Sequence, residues 1–297
     1  MNRNIKWLLS GILFAALWPS ASTATKLGLT VAQPLVIAVV RFGLASVIML
    51  ILAHGINRAR LPKGKEWTQL FTYGLLNITI YLGLYVVAMQ HVTAGIGALA
   101  VATNPIFIVF MSVFFLNKKM TWDIILSLLI CGAGVTIAAW PLFADATVTV
   151  WGLTILMLSM ISYSVGAIYF SAKEWNGLSL LTINGWQTLL GGLCLLPFTL
   201  FFYKDDANQF NDKFWYSVLW LAIPVSIIAV QLWLRLLQIN PVRAGLWLFL
   251  CPVFGYIFAA WWMKDLISIY TIIGVCFVVG GLMISKLNTK KNKVVFD

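Results

Sequence analysis

Asn77, Tyr81 and Tyr85 recur every four residues inside the apolar run Asn77-Ile-Thr-Ile-Tyr81-Leu-Gly-Leu-Tyr85. On a helix that spacing stacks three polar side chains on one face. In lipid such groups need partners, so the face must look toward neighbouring helices or into a wet cavity that can hydrogen-bond a small solute. Thr103-Asn104-Pro105 and Leu250-Cys251-Pro252 carry a second signal. A proline in mid-span frees the carbonyl four residues earlier, near residues 101 and 248. Those carbonyls could meet a substrate ammonium, but bending the helix is the weightier reading of Pro105 and Pro252. Trp18-Pro19-Ser20 interrupts the first apolar run in the same way.

Other candidates sit at similar depth. Ser159, Ser162, Tyr163 and Tyr169 lie in one apolar run, and Gln231, Trp233, Arg235 and Gln238 in another. Arg235 is close enough to its span end to snorkel. Of fourteen tryptophans, Trp18, Trp186, Trp233 and Trp247 are far enough from span ends to wall a cavity rather than form an interfacial belt. Arg41 is the one basic residue placed inside a span. It either faces a carboxylate or phosphate of a substrate or snorkels to the nearby interface, and its closeness to the span start favours snorkelling.

What is missing also bears on chemistry. The nine acids (Glu66, Asp123, Asp145, Glu174, Asp205, Asp206, Asp212, Asp265, Asp297) all fall in loops or at span ends. A carboxylate proton relay or sodium ligand inside the membrane is therefore not expected, which points to a facilitator or exchanger. General acid–base and metal chemistry lack their residues, so an enzyme is not expected either. Cys131, Cys194, Cys251 and Cys276 lie in apolar runs without metal spacing, and His54 and His91 at span ends. No metal and no cofactor are expected.

These residues need a membrane scaffold. Hydrophobic residues make up 61% of the 297, charged residues 10%, and mean hydropathy is +0.93, a membrane composition. Apolar stretches recur at 5–25, 33–53, 67–89, 94–116, 122–143, 151–172, 178–203, 214–238, 241–263 and 268–286. Most are near the ~20 residues that cross a hydrocarbon core. The reading is an all-α integral membrane protein of ten transmembrane helices. A cleaved leader ending near Ser20-Ala21-Ser22 is the lesser alternative for the first stretch.

A net charge of +11 invites a nucleic-acid reading, but the placement of charge argues for a bilayer. With the N-terminus inside, fifteen of the twenty Lys and Arg fall on the inner side, four (Lys26, Lys204, Lys213, Lys264) outside, and Arg41 within a span. That bias places both termini in the cytoplasm.

The chain also repeats. Pro105 and Pro252, Gly134 and Gly281, and Lys26 and Lys173 are each 147 apart (252 − 105, 281 − 134, 173 − 26). Residues 1–145 and 146–297 thus form two five-span halves. An odd span number inverts the second against the first, a common way to build a transporter around a mid-membrane site. Gly132, Gly134, Gly274, Gly280 and Gly281 in the fifth and tenth spans suit close helix packing, within the chain or in a homodimer.

Leu17-Trp18 with Lys26, Arg41-Phe42 with Ala45, Asn104-Pro105 and Gly134 in the first half, and Pro252, Gly274 and Gly281 in the second, resemble the EamA-type module of the drug/metabolite transporter superfamily. The resemblance covers essentially the whole chain as two tandem modules. It departs at Leu116-Asn117-Lys118-Lys119, where the family often has an acid that the second copy keeps as Asp265. Arg41 has Gln187 as its counterpart, one residue off register (187 − 41 = 146).

The resemblance implies a ten-helix bundle with a central cavity lined mainly by spans 1, 3, 4, 6, 8 and 9, moving small metabolites by alternating access. The expected function is efflux of amino acids or related metabolites across a bacterial inner membrane. The cavity is expected to be uncharged and aromatic, with Asn77, Tyr81, Tyr85, Thr103, Asn104, Tyr163 and Gln231 bonding the substrate. Trp18, Trp233 and Trp247 would wall it and Pro19, Pro105 and Pro252 bend it. An organic-cation or aromatic-drug transporter and a non-transporting scaffold are the alternatives. Expected partners are a small-molecule substrate and the lipid bilayer, with no nucleic acid.

Overall fold

The computed structural model describes residues 3–117, 120–145, 149–263 and 269–292, and the regular structure among them is helical. It forms ten rods: α1 (Ile5–Leu29), α2 (Pro34–Ile56), α3 (Lys65–Ala88), α4 (94–116), α5 (Trp122–Asp145), α6 (Val150–Ala172), α7 (Leu180–Phe201), α8 (Asp212–Ile239), α9 (241–263) and α10 (Ile269–Asn292). By length and composition α1, α2, α3, α6 and α8 can each cross a membrane, and shorter apolar helices lie in α4, α5, α9 and α10.

Local chemistry sets the rod ends. The side chains of Thr149, Ser179, Asn211 and Asn240 accept from the backbone N–H groups of Gly152, Thr182, Phe214 and Arg243, which otherwise lack intrahelical partners. Pro34 and Pro241 open α2 and α9, where a missing N–H is harmless. Asn117 ends α4 in the left-handed region at φ 48°.

Several rods are broken, and most breaks repeat. Wide π-helical turns occupy Leu75–Leu82 in α3 and Leu221–Ala229 in α8 (75 + 146 = 221). Tight 3-10 turns occupy Val101–Thr103 in α4 and Trp247–Phe249 in α9 (101 + 146 = 247), just before Pro105 and Pro252. Each proline withholds the N–H that the preceding turn would need, so that turn tightens. At Pro19 the rod α1 changes from one helical segment (Arg3–Leu17) to the next (Ser20–Leu29). Its repeat mate α6 runs unbroken.

Two pairs of equivalent rods, α2 with α7 and α5 with α10, pack against each other in opposite directions. A Cβ on Gly134 would lie 2.6 Å from the Gly274 carbonyl oxygen, and one on Gly281 would lie 3.2 Å from that of Ser127. These are one contact applied twice (134 + 147 = 281, 274 − 147 = 127), and the constant sum 134 + 274 = 127 + 281 makes α5 and α10 antiparallel. Gly192 meets Phe42 and Gly185 meets Met49, again with a constant sum of 234, so α2 and α7 are antiparallel too. Two inverted five-helix repeats follow directly. Gly134 and Gly281 are taken up by this contact within the chain, whereas nothing lies within 4 Å of a Cβ on Gly132 or Gly280. Gly134→Leu is expected to lower the melting temperature in detergent by several degrees, and Gly132→Leu to leave it unchanged.

Loops fasten α2 to α7 at both ends. At the far face, Gln33 donates from Nε2 to the Phe202 carbonyl and accepts at Oε1 from Lys204 N–H and Asn208 Nδ2, at 2.8–2.9 Å. At the near face, which carries the start of α1, Arg60 pairs with Glu66 at 2.7 Å and donates to the Asn176 carbonyl.

Candidate substrate site

Trp18 and Ser22 are one turn apart on α1, and both face a small enclosed cavity in the far half of the bundle. Tyr81 and Tyr85 of α3, Arg41 of α2, Val101 of α4 and Val225 of α8 complete its wall. The breaks position these groups. Ser22 follows the Pro19 interruption, Tyr81 and Val225 sit in the two π-helical turns, and Val101 opens the tight turn before Pro105. Ser22 Oγ and the Tyr85 hydroxyl share a hydrogen bond of 2.7 Å. Free volume is about 10 Å³, enough for roughly one water-sized sphere. A solute larger than water would have to widen this space.

Arg41 corrects two expectations. It does not snorkel, and the cavity is not uncharged: its side chain is 1% exposed and lines the cavity. Tertiary packing overrode its nearness to the rod end, because α1, α3 and α8 surround it. Nε donates to Ser226 Oγ at 2.8 Å, while Nη2 is buried with no hydrogen-bond partner. Among the described residues the other buried charge is Glu66, already paired with Arg60. A guanidinium held this way has donor capacity left over.

A relay of buried polar groups holds Arg41. Asn184 Nδ2 donates to the Ser226 carbonyl at 2.9 Å, and Asn184 Oδ1 accepts from Gln187 Nε2 at 3.0 Å and from Thr188 Oγ1 at 3.3 Å. Gln187 Oε1 in turn accepts from Asn77 Nδ2 at 3.2 Å. Asn77 thus belongs to this support. Gln187, seen in sequence only as the off-register mate of Arg41, joins the same network.

On the near side a cluster of aromatic rings adjoins the cavity. Tyr81 lies 4.7 Å from Tyr163 by ring centroids, Tyr163 lies 5.6 Å from Trp233 and 6.0 Å from Trp18, and Phe14 lies 5.0 Å from Trp233. Of the expected site residues, Trp18, Tyr81 and Tyr85 line the cavity with Arg41, whereas Tyr163 and Trp233 are buried in the aromatic cluster beneath it. Asn104 of α4 is buried against α6, where its Oδ1 accepts from Ser164 Oγ at 3.2 Å. Thr103 donates to the Ala100 carbonyl, and Gln231 to the Leu180 carbonyl. Trp247 packs on Trp7 with centroids 5.2 Å apart. Ser22, Val101, Val225 and the relay residues Asn184 and Ser226 were missed in sequence. Only Ser22, one turn past Trp18, had a readable signal. Among the described residues no three His, Cys, Asp or Glu cluster as metal ligands.

Residues 5–140 and 150–287 each match the model of the EamA-like transporter family. The chain belongs to that family. It is a multi-pass membrane transporter of two tandem EamA modules, and its relatives are transporters rather than enzymes. It is 27% identical to protein PecM of Dickeya dadantii (strain 3937) over 90% of this chain and 88% of that one. It is 23% identical to the uncharacterized transporter YoaV of Bacillus subtilis (strain 168), over 98% and 100% respectively. A solved crystal structure shares the fold with a TM-score of 0.79 at 17% identity, covering 95% of this chain and 98% of that one.

Proposed function

We propose that this EamA transporter exports small metabolites bearing a carboxylate, amino acids and their relatives above all, by alternating access across a bacterial inner membrane. The buried guanidinium of Arg41, which lines an aromatic-walled cavity and leaves Nη2 without a hydrogen-bond partner, carries the reading. The carboxylate docks on Arg41, the hydroxyls of Tyr81, Tyr85 and Ser22 complete its shell, and the ring of Trp18 takes the apolar part. The two repeats rock about this point, with α1, α4 and α9 yielding at Pro19, Pro105 and Pro252. The positive-inside bias supports cytoplasmic termini, with the near face inward.

A paired-ligand screen tests this on purified protein. Amino acids that bind raise the melting temperature by mass action, and their methyl esters, which keep the ammonium and lose the carboxylate charge, are expected to lose that shift. Esters that match or exceed the free acids would sink the carboxylate assignment. The aromatic stack of Tyr81, Tyr163 and Trp233 favours a second reading, an organic-cation or aromatic-drug transporter. A quaternary amine would then stabilise the protein, and more so once Arg41 is neutralised.

A further inference from the structure

A second, larger cavity of about 230 Å³ opens at the far face, lined by Lys26, Gln90, His91, Val92, Thr93 and Thr149. It is stacked on the Arg41 cavity along the same rods. On α1, Trp18 and Ser22 line the inner cavity and Lys26 the outer one, three residues at four-residue spacing on one face. On α3 Tyr85 lines the inner cavity, and Gln90, just past the rod end, the outer. Val101 of α4 and its capping residue Thr93 divide likewise. The 2.7 Å bond between Ser22 and Tyr85 joins α1 to α3 where the inner cavity gives way to the outer.

The outer lining is rich in donors. Thr93 Oγ1 accepts from Ile96 N–H at 3.3 Å and Thr149 Oγ1 from Gly152 N–H at 3.0 Å, so each hydroxyl proton is free to donate outward. The Lys26 ammonium and the Gln90 amide add to them, and among the described residues no carboxylate lines the cavity. A partly buried ammonium among free hydroxyls suits an anion.

We infer that this cavity is a second anion-binding site, an antechamber in which Lys26 holds a small carboxylate before or after it visits Arg41. The ligand class rests on reading Arg41 as a carboxylate anchor; the cavity and its donors do not. A solute leaving Arg41 has to give up a charge partner in a low-dielectric wall, and a second cation at the outer end of α1 lowers that barrier. Lys26 is the more solvated of the two, so its site is the weaker and the more sensitive to salt.

Fluorine NMR titration of trifluoroacetate against the full chain in nanodiscs tests the inference, with unfolding curves run on each variant. Two saturable components are expected, a tighter and a weaker. Lys26→Gln is expected to weaken the second component by about tenfold or more, as loss of a charged hydrogen bond does, and to leave the first unchanged. Lys26→Arg restores it, which a merely structural lysine would not require of the charge. Arg41→Met removes the tighter component and spares the weaker. Both components surviving Lys26→Gln would overturn the antechamber and leave the Arg41 reading intact. Loss on Lys26→Gln together with no change on Arg41→Met would do the reverse.

Discussion

Arg41→Met is expected to cost this transporter at least about a hundredfold in affinity for small carboxylates, equivalent to about 3 kcal/mol, without weakening the fold. Two effects run in opposite directions. The guanidinium is buried, with one nitrogen on Ser226, its carbon 5.2 Å from the centre of the Phe42 ring and another nitrogen unpartnered, so the ligand-free protein bears the desolvation of a charge that a neutral hydroxyl and a ring face offset only in part. Methionine is of similar length, flexible and apolar, and needs no partner. The empty variant should therefore melt at the same temperature as the parent or higher, a site where function and stability oppose each other. Arg41→Lys keeps the charge but loses the forked geometry that spans Ser226 and a ligand, so intermediate affinity is expected. Isothermal titration and thermal unfolding on one preparation decide the matter. Undiminished carboxylate binding by the Met variant would remove Arg41 from the site, and a collapse of its melting temperature would make the arginine structural.

Gly74→Ala and Gly191→Ala should each destabilise the protein by about 2–4 kcal/mol, among the largest effects of a single methyl here. A Cβ on Gly74 would lie 2.5 Å from the Gln187 carbonyl oxygen, and one on Gly191 would lie 2.5 Å from that of Gly74. Both obstacles are backbone, so neither can swing aside as a side-chain tip would. Relief requires α3 to move off α7, and that crossing carries the Thr79-to-Gly191 hydrogen bond at 2.8 Å and the Asn77-to-Gln187 bond. Gln187 leads through Asn184 and Ser226 to Arg41, so carboxylate affinity should fall in these variants even well below their melting temperatures. Gly43→Ala is the control: nothing lies within 4 Å of its Cβ, and helix propensity favours alanine by about 1 kcal/mol. Thermal denaturation of the three variants separates the cases, and equal melting temperatures would refute the close crossing.

Much of the architecture was legible because membrane physics leaves few choices. Apolar runs of spanning length must be helices, since backbone groups in lipid have to bond within their own segment. The 147-residue offset announced the inverted pair, and the Gly134 and Gly281 contacts repeat at that offset. Tyr81 and Tyr85 were readable as an inward face because polar side chains at helical spacing cannot face lipid, and both line the cavity. The prolines marked the tight turns of α4 and α9, because a missing N–H acts locally.

Other features depended on which rods touch. The π-helical turn of α3 has no proline to announce it, and it lies where α3 packs on α6 and α7. Asn104 and Gln231 looked like ligand-facing groups, yet each is spent on a neighbouring helix, a difference that spacing along one rod does not encode. Arg41 is the sharpest instance. Its depth in α2 was apparent from the sequence, but its direction was set by α8, whose Ser226 it bonds and whose Ser226 carbonyl Asn184 of α7 holds in turn. Span, inversion and the polar face follow from chain composition and period, which are local properties. Where the positive charge points is a property of three helices together, and only their packing decided it.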